Sequence, residues 1–298
     1  MFENATKMVR QAKAEGYAVP ALNTNGATYD ITRAALEASQ EMQAPVIIQV
    51  YHPNTAYRGM PFFVKQVAAL AEELEITVPL CLQLDHGKSV EVCAEAMEAG
   101  LTSVMIDGSH ESFEDNVGMT REVLRMAHPR GVSVEAEIGY VAGNEPKPES
   151  QIGRIPVPEK PTVPPGRTDL QEAADFVTET GVDLLAVSVG TIHGVYQSQT
   201  DIDFDLLRQI NEAVDVPLVQ HGTCGISLKD LARLAKAGMA KINFGEPFRY
   251  NYIRYFNELT DSMEHQWHAW RIQQEIRNRL KQDMKELIVA LGAEGKAE

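Results

Sequence analysis

Three apolar segments of this chain each end in a histidine followed directly by a glycine, and this repetition limits the fold more than any other feature. The first segment ends in Asp85 and His86 before Gly87, the second in His193, and the third in His221. In parallel α/β proteins, binding and catalytic groups collect at the carboxyl ends of strands. We therefore expect three strands of one parallel sheet whose ends meet at a shared site.

Apolar, strand-like runs alternate with helix-length segments along most of the chain. Strands are predicted at 17–22, 45–50, 79–84, 103–106, 133–137, 184–189, 217–219 and 240–243. Helices are predicted at 6–15, 28–43, 61–74, 89–99, 113–128, 170–180, 204–214 and 228–237. An open doubly wound sheet has about five or six strands and a glycine-rich phosphate turn, which is missing here. The fold class is therefore α/β, a (β/α)8 TIM barrel in one domain over residues 1–298.

Polar side chains occur at the predicted carboxyl ends of most of these strands. If the barrel forms, they share one rim and constitute the candidate site. They are Asn23, Asp85, His86, Asp107, Glu137, His193, His221 and Asn243.

Composition excludes several classes of function. The 27 basic and 42 acidic residues give a formal charge of −15, which repels nucleic acid and anionic membranes. Three cysteines without CxxC spacing predict neither a disulfide framework nor a thiolate metal site. With no signal-like or membrane-spanning apolar run, we expect a cytoplasmic protein with a small-molecule substrate.

Two segments fall outside the strand and helix alternation. Residues 139–168 contain seven prolines, and a loop of this length favours a mobile lid, although a surface loop or subunit contact would have the same composition. Residues 247–291 form a predicted helical extension rich in aromatic residues. This extension either packs on the barrel or forms a subunit interface.

The three histidines at strand ends are candidate metal ligands. A lone histidine is more often structural, but three imidazoles leave one or two open positions on a zinc-like ion, as a Lewis-acid catalyst requires. Because His86, His193 and His221 lie far apart in the sequence, spacing alone leaves both interpretations open.

The motifs around these histidines resemble those of the class II, metal-dependent ketose-bisphosphate aldolases, especially the tagatose-bisphosphate and fructose-bisphosphate aldolase-like members. The resemblance implies a zinc-dependent (β/α)8 barrel with one Zn²⁺ per chain, room for a monovalent cation, and assembly as a homodimer or homotetramer. It also implies reversible C3–C4 cleavage of a ketose phosphate into a dihydroxyacetone-type donor and an aldehyde. The matching segments are 84–87, 105–109, 134–139, 190–196, 219–222 and 241–243.

Roles carried over from the resemblance apply only to matching positions. Asp85 corresponds to the carboxylate that exchanges a proton with the C4 hydroxyl, and Glu145 to the lid acid acting at the donor carbon. Residues near the metal are His86, His193, His221 and Glu137, and residues expected to bind the substrate are Asn23, Gly194, Gly222, Cys224, Asn243 and Glu246.

Two positions depart from the family pattern. Cys224 and Glu246 stand where a serine and a threonine hydroxyl usually bind the donor phosphate. An ionised Glu246 beside a phosphate would be repulsive, so we expect an altered donor site. The carboxylate either accepts hydrogen bonds from an unphosphorylated hydroxymethyl group or pairs with Arg249 and points away.

Two functions other than that of an aldolase are compatible with a barrel of this kind. A sugar or sugar phosphate epimerase or isomerase would use the same metal-stabilised enediolate. A binding protein that kept the barrel would be expected to have lost Asp85 or a histidine ligand, and all four residues are present.

Overall fold

The computed structural model describes residues 2–141, 143, 158–161, 163–194, 196–262 and 268–297. Within them, eight parallel strands pair in sequence order and close into a barrel through pairing of the last strand with the first. This confirms the predicted (β/α)8 fold. The strands are β1 Val19–Asn23, β2 Val46–Tyr51, β3 Leu80–Gly87, β4 Ser103–Ile106, β5 Ser133–Ile138, β6 Leu184–Val187, β7 Leu218–Gln220 and β8 Met239–Phe244.

Helices surround the barrel, and several of them begin where a short polar side chain caps the first turn. Ser89, Ser112 and Ser227 each accept a hydrogen bond from a backbone N–H in the first turn of the helix that follows, which satisfies a donor that has no partner inside the helix. The helices are α1 Ala5–Glu15, α2 Tyr29–Glu41, α3 Thr55–Arg58, α4 Met60–Glu73, α5 Val90–Ala99, α6 Phe113–Ala127, α7 Leu170–Thr180, α8 Phe204–Ala213, α9 Leu228–Lys236, α10 Glu246–Ser262 and α11 Ala269–Ala290.

Strand β3 extends further than its apolar run indicates. It continues through Asp85 and His86 to Gly87, and its register against β4 shifts between Leu84 and Gly87. His86 adopts a left-handed backbone conformation with φ of 50°, which is costly for a residue with a Cβ and is typical of functional sites. The irregularity therefore lies at the carboxyl end of β3, at two of the predicted site residues.

The amino-terminal end of the barrel is closed by α1. The backbone N–H of Ala5 donates to Ser133 Oγ at the start of β5, at 3.1 Å. The ammonium group of Lys13 donates to the carbonyls of Val214 and Val216 just before β7, at 2.9 and 3.0 Å. The carboxyl ends of the strands therefore form the open end of the barrel.

The carboxy-terminal extension consists of α10 and α11, and α11 packs along α2 on the outside of the barrel. Glu41 of α2 pairs with Lys281 at 2.7 Å and Lys285 at 3.0 Å. On α10, Tyr250, Ile253 and Phe256 are exposed, while Tyr255 is buried.

Within the described part of the chain, no helix has both the length and the apolarity needed to cross a membrane.

Candidate active site and metal centre

A cavity of about 240 Å³ opens at the carboxyl ends of the strands. Its size suits a small sugar, since sites for larger, drug-sized ligands span about 300–1,000 Å³. Most predicted site residues line it, from β1, β3, β5, β8, the segments after β4, β6 and β7, and the start of α10: Asn23, Asp85, His86, Asp107, Glu137, His193, His221, Gly222, Asn243 and Glu246.

The three predicted histidine ligands converge in this cavity. One ligand atom from each of His86, His193 and His221 lies within 4.8 Å of the others. Nε2 of His86 is 3.1 Å from Nδ1 of His221. Two nitrogens bound at about 2.0–2.1 Å to one tetrahedral ion would be about 3.3 Å apart. The spacing of these two rings therefore fits a shared ion.

Two of the histidines are held by carboxylates through their other nitrogen. Asp107 Oδ2 lies 2.8 Å from His86 Nδ1, and Glu135 Oε1 lies 2.9 Å from His221 Nε2. When these nitrogens donate to the carboxylates, the neutral rings direct lone pairs from His86 Nε2 and His221 Nδ1 at each other. Such an arrangement needs a proton or a cation between them.

The carboxylates around His86 also favour a positive charge between the two rings. Burial lowers the pKa of His86, but the carboxylates of Asp85 and Asp107 outweigh it and raise this pKa to about 9. The site therefore favours positive charge at the position where the rings meet.

Glu135 belongs to a buried polar network inside the barrel. Its Oε2 accepts from Lys241 Nζ at 2.7 Å and from Gln83 Nε2 at 2.9 Å. Burial raises the pKa of Glu135, but the charges and hydrogen bonds of Lys241 and His221 lower it well below its usual range. Neither Glu135 nor Lys241 was predicted from the sequence to belong to the site, although each interrupts an apolar strand at a position where only a paired charge is tolerated.

Two ionisable side chains of the site each have a buried atom without a hydrogen-bond partner among the described residues. His193 Nε2 and Glu137 Oε2 are both buried and unpaired, although Glu137 Oε1 accepts from the backbone N–H of Val141 at 2.8 Å. Buried polar atoms are almost always satisfied, and an ion is one reason for an exception. A second group that could hold a metal comprises His86, Asp107 and Glu137. The donor set therefore fits a divalent cation.

Asp85 is oriented by two amides. Asn23 Nδ2 donates to Asp85 Oδ2 at 2.9 Å, and Asn243 Nδ2 donates to Oδ1 at 3.3 Å. Each amide oxygen is itself engaged, by the backbone N–H of Asn25 at 3.0 Å and by Lys241 Nζ at 2.7 Å. Both amides must therefore direct their N–H groups at Asp85, which lies beside His86 at the cavity.

The glycines after two of the histidines are required by close packing. A Cβ at Gly87 would lie 2.6 Å from the carbonyl oxygen of Met105, and one at Gly222 would lie 2.7 Å from the carbonyl carbon of Ile192. Gly222 also has a φ of 67°, which disfavours other residues. No side chain fits at either position without displacing backbone.

Glu246 begins α10, and its carboxylate faces the segment that carries His193. Its Oε1 accepts from the backbone N–H of Gly194 at 3.3 Å and lies 3.4 Å from His193 Nδ1. Burial raises the pKa of Glu246, but His193 and the charge of Arg249 lower it well below its usual range.

Cys224 is buried but does not line the cavity. Its thiol has a pKa raised to about 11 by burial and by the nearby Glu246 carboxylate.

Several residues of the rim were not predicted from the sequence. Lys88 Nζ lies 2.6 Å from Asp107 Oδ2, and the rings of His110 and Tyr140 are 4.3 Å apart. These side chains line the cavity together with Asn25, Tyr51, Asn54 and Arg249. Most of them lie on loops and short turns, which no strand-end motif marks, whereas Tyr51 ends β2 and Arg249 lies in the first turn of α10. The predicted lid residue Glu145 lies outside the described residues.

Comparison with known proteins shows which family the chain belongs to. Residues 3–296 match the family model for fructose-bisphosphate aldolase class-II. The chain is 40% identical over 243 residues to a 6-phospho-5-dehydro-2-deoxy-D-gluconate aldolase of Bacillus licheniformis, covering 81% of this chain and 78% of that one. It is 42% identical over 238 residues to a fructose-bisphosphate aldolase of Staphylococcus epidermidis, covering 80% and 78%. The crystal structure of the YdjI aldolase from Escherichia coli superposes with a TM-score of 0.83 at 30% identity, covering 100% of both chains.

Proposed function

We propose that this chain, which belongs to the class II fructose-bisphosphate aldolase family of carbon–carbon lyases, differs from the family pattern in its donor, and that its donor pocket takes dihydroxyacetone rather than dihydroxyacetone phosphate. The reaction would be reversible cleavage of a ketose between C3 and C4, giving this donor and an aldehyde. The epimerase or isomerase alternative is not favoured, since the matched relatives are named as aldolases.

The metal would be zinc, held by His86, His193 and His221. Their convergence and the unpaired Nε2 of His193 support this assignment. When bound, the ion would supply Lewis-acid polarisation of the donor carbonyl. Glu137, whose Oε2 is also unpaired, is the additional acid proposed near the ion. The predicted monovalent cation stays a prediction.

Asp85 would exchange the proton of the C4 hydroxyl during cleavage. The amides of Asn23 and Asn243 donate hydrogen bonds to both of its oxygens. The carboxylate is therefore held facing the cavity, in an orientation suited to proton transfer. Asn243 would also contact the donor. Glu145 remains the predicted acid or base at the donor carbon.

The observation that carries the donor assignment is the hydrogen bond from the backbone N–H of Gly194 to Glu246 Oε1. By family resemblance, Gly194 and Gly222 belong to the loops that bind the donor phosphate. Here, a carboxylate of the chain itself takes one of those N–H groups. An anion seated at the same place would meet the negative charge of Glu246.

The repulsion between Glu246 and a donor phosphate would be large enough to affect which donor binds. Two unit charges about 4 Å apart interact by about 4 kcal/mol at an effective dielectric constant of about 20. A neutral hydroxymethyl group avoids this cost and can donate a hydrogen bond to the carboxylate. Glu246 therefore favours an unphosphorylated donor.

A phosphorylated donor is the second candidate, and one observation favours it. Arg249 lines the same cavity and lowers the pKa of Glu246, so its guanidinium offsets part of the negative charge. The names of both curated relatives also specify phosphorylated sugars.

Donor preference in the condensation direction tests the proposal. We expect the wild-type enzyme, with zinc in excess and a panel of aldehydes, to show a higher kcat/KM for dihydroxyacetone than for its phosphate. Glu246→Thr combined with Cys224→Ser restores the usual hydroxyl groups and should shift the ratio towards phosphate by about 10- to 1,000-fold. Glu258→Gln, which removes a charge elsewhere on α10, is the control.

A wild-type enzyme that prefers the phosphorylated donor, with a double variant that behaves identically, would contradict the proposal. In that case the ordinary donor of the family would apply. Assembly as a homodimer or homotetramer stays a prediction, and the exposed apolar side chains of α10 are the proposed contact.

A further inference from the structure

Carboxylates contact two of the proposed metal ligands on the side away from the metal. Asp107 from the end of β4 holds Nδ1 of His86 at 2.8 Å, and Glu135 of β5 holds Nε2 of His221 at 2.9 Å. Such partners fix which ring nitrogen carries the proton and how the ring is turned. His221 directly follows the last residue of β7, whereas His193 lies further along the loop that leaves β6, so its position depends most on contacts outside the strand.

We propose that Glu246 is the positioning residue of His193, so that a carboxylate holds each of the three histidines. Glu246 Oε1 lies 3.4 Å from His193 Nδ1, on the ring edge opposite the unpaired Nε2. The same oxygen accepts from the backbone N–H of Gly194. Glu246 therefore contacts both the ring and the backbone of the segment that presents the ligand.

The geometry of Glu246 explains why it can hold the ring. It is 8% exposed, and as the first residue of α10 its backbone is anchored to a helix. With Nδ1 donating to this carboxylate, Nε2 keeps its lone pair directed at the other two histidines. The contact is longer than the other two, which predicts a modest contribution: about a tenfold loss of metal affinity on removal, at the lower end of the range for such partners.

The inference rests on the proposed metal site, but it assigns Glu246 a second role that is separable from donor selection. Positioning requires an oxygen that accepts a hydrogen bond, which a glutamine provides. Repulsion of a phosphate requires a negative charge, which a glutamine lacks. Threonine is too short to reach Nδ1 and lacks the charge. The two substitutions therefore separate the two roles.

Zinc affinity measured by competition with a chromophoric chelator tests the proposal without an enzyme assay. We expect Glu246→Thr to bind zinc about tenfold more weakly than wild type, and Glu246→Gln to stay within about threefold of wild type. Both variants should move donor preference towards phosphate. Glu258→Gln on the same helix should leave zinc affinity unchanged, and thermal melting of the zinc-free proteins checks that each variant is folded.

Two results would overturn the positioning role: wild-type zinc affinity in a folded Glu246→Thr protein, or an equal loss in the glutamine and threonine variants. His193→Ala separates this failure from failure of the metal site. If His193→Ala loses zinc while Glu246→Thr does not, only the role of Glu246 is wrong. If His193→Ala binds zinc as wild type does, the three-histidine site itself is wrong, and the inference fails with it.

Discussion

At the scale of single residues, the partner of each polar group decides what the group can do. Asp85 is the clearest case, because both of its oxygens accept from amides whose own oxygens are engaged. The carboxylate can neither rotate freely nor lose these donors without breaking other hydrogen bonds. It is therefore held in one orientation beside the proposed metal, as its proposed role as a base requires.

Asp85→Asn tests this role. The substitution keeps the shape of the side chain but removes the base, so we expect turnover to fall by about 10²-fold or more while zinc stays bound. Steady-state cleavage assays and metal analysis of the same preparation measure both quantities. Asp175→Asn, on the exposed face of α7, serves as the control. Wild-type turnover in the Asp85 variant would reduce Asp85 to a structural residue.

The sequence could predict the histidines but not what holds them. His86, His193 and His221 stand out because each follows an apolar run and precedes a glycine. Glu135 and Lys241 lie more than 100 residues apart in the chain and meet only across the interior of the closed barrel. Their pairing depends on strand register, which no local pattern encodes.

At the scale of elements, the strands were predictable because buried parallel strands are continuous apolar runs between helices. The irregular end of β3 was not, since the register shift beyond Leu84 arises from pairing with β4. The short helix α3 was also missed. Four residues are too few to display a helical period, and its place is set by the neighbouring rim.

The contact between α10 and α11 makes stability depend on pH. Asp283 of α11 accepts from the hydroxyl of Tyr255 at 2.8 and 2.9 Å and from Asn251 Nδ2 at 2.8 Å. Burial nevertheless raises the pKa of Asp283 above its ordinary value of 3.8, and the hydrogen bonds of Tyr255 and Asn251 offset this only in part. The protonated form is therefore favoured in the folded protein relative to the unfolded chain.

The direction of this pH dependence follows from the linkage between proton binding and folding. The stability that Asp283 contributes is fully present below its unfolded pKa and is lost as the pH rises through the higher folded value. We expect the free energy of unfolding of wild type, relative to Asp283→Asn, to decrease as the pH rises above the unfolded pKa of about 4. Urea titrations of both proteins at several pH values measure this difference. A difference that is constant with pH, or that grows with it, would exclude the raised pKa.

At the scale of the whole molecule, counting strands was enough to predict a closed barrel, and closure brings the strand ends to one rim. The side chains that line this rim could be predicted only in part from the sequence. Loop residues such as Lys88 and His110 reach the cavity from segments with no periodic pattern. The orientation of Glu246 towards Gly194 also depends on where α10 begins relative to the loop after β6.

The central claim is that this site activates an unphosphorylated donor with the help of a metal. Activation can be followed without knowing the aldehyde. An enzyme that removes a proton from the donor carbon allows that proton to be replaced by deuterium from the solvent. The direct measurement is proton NMR of dihydroxyacetone and of its phosphate, each incubated in D2O with the zinc-loaded enzyme and no aldehyde. We predict faster loss of the carbon-bound proton signal for dihydroxyacetone, and no exchange above background after chelation. Exchange confined to the phosphorylated donor, or exchange at the same rate after the metal is removed, would contradict the account.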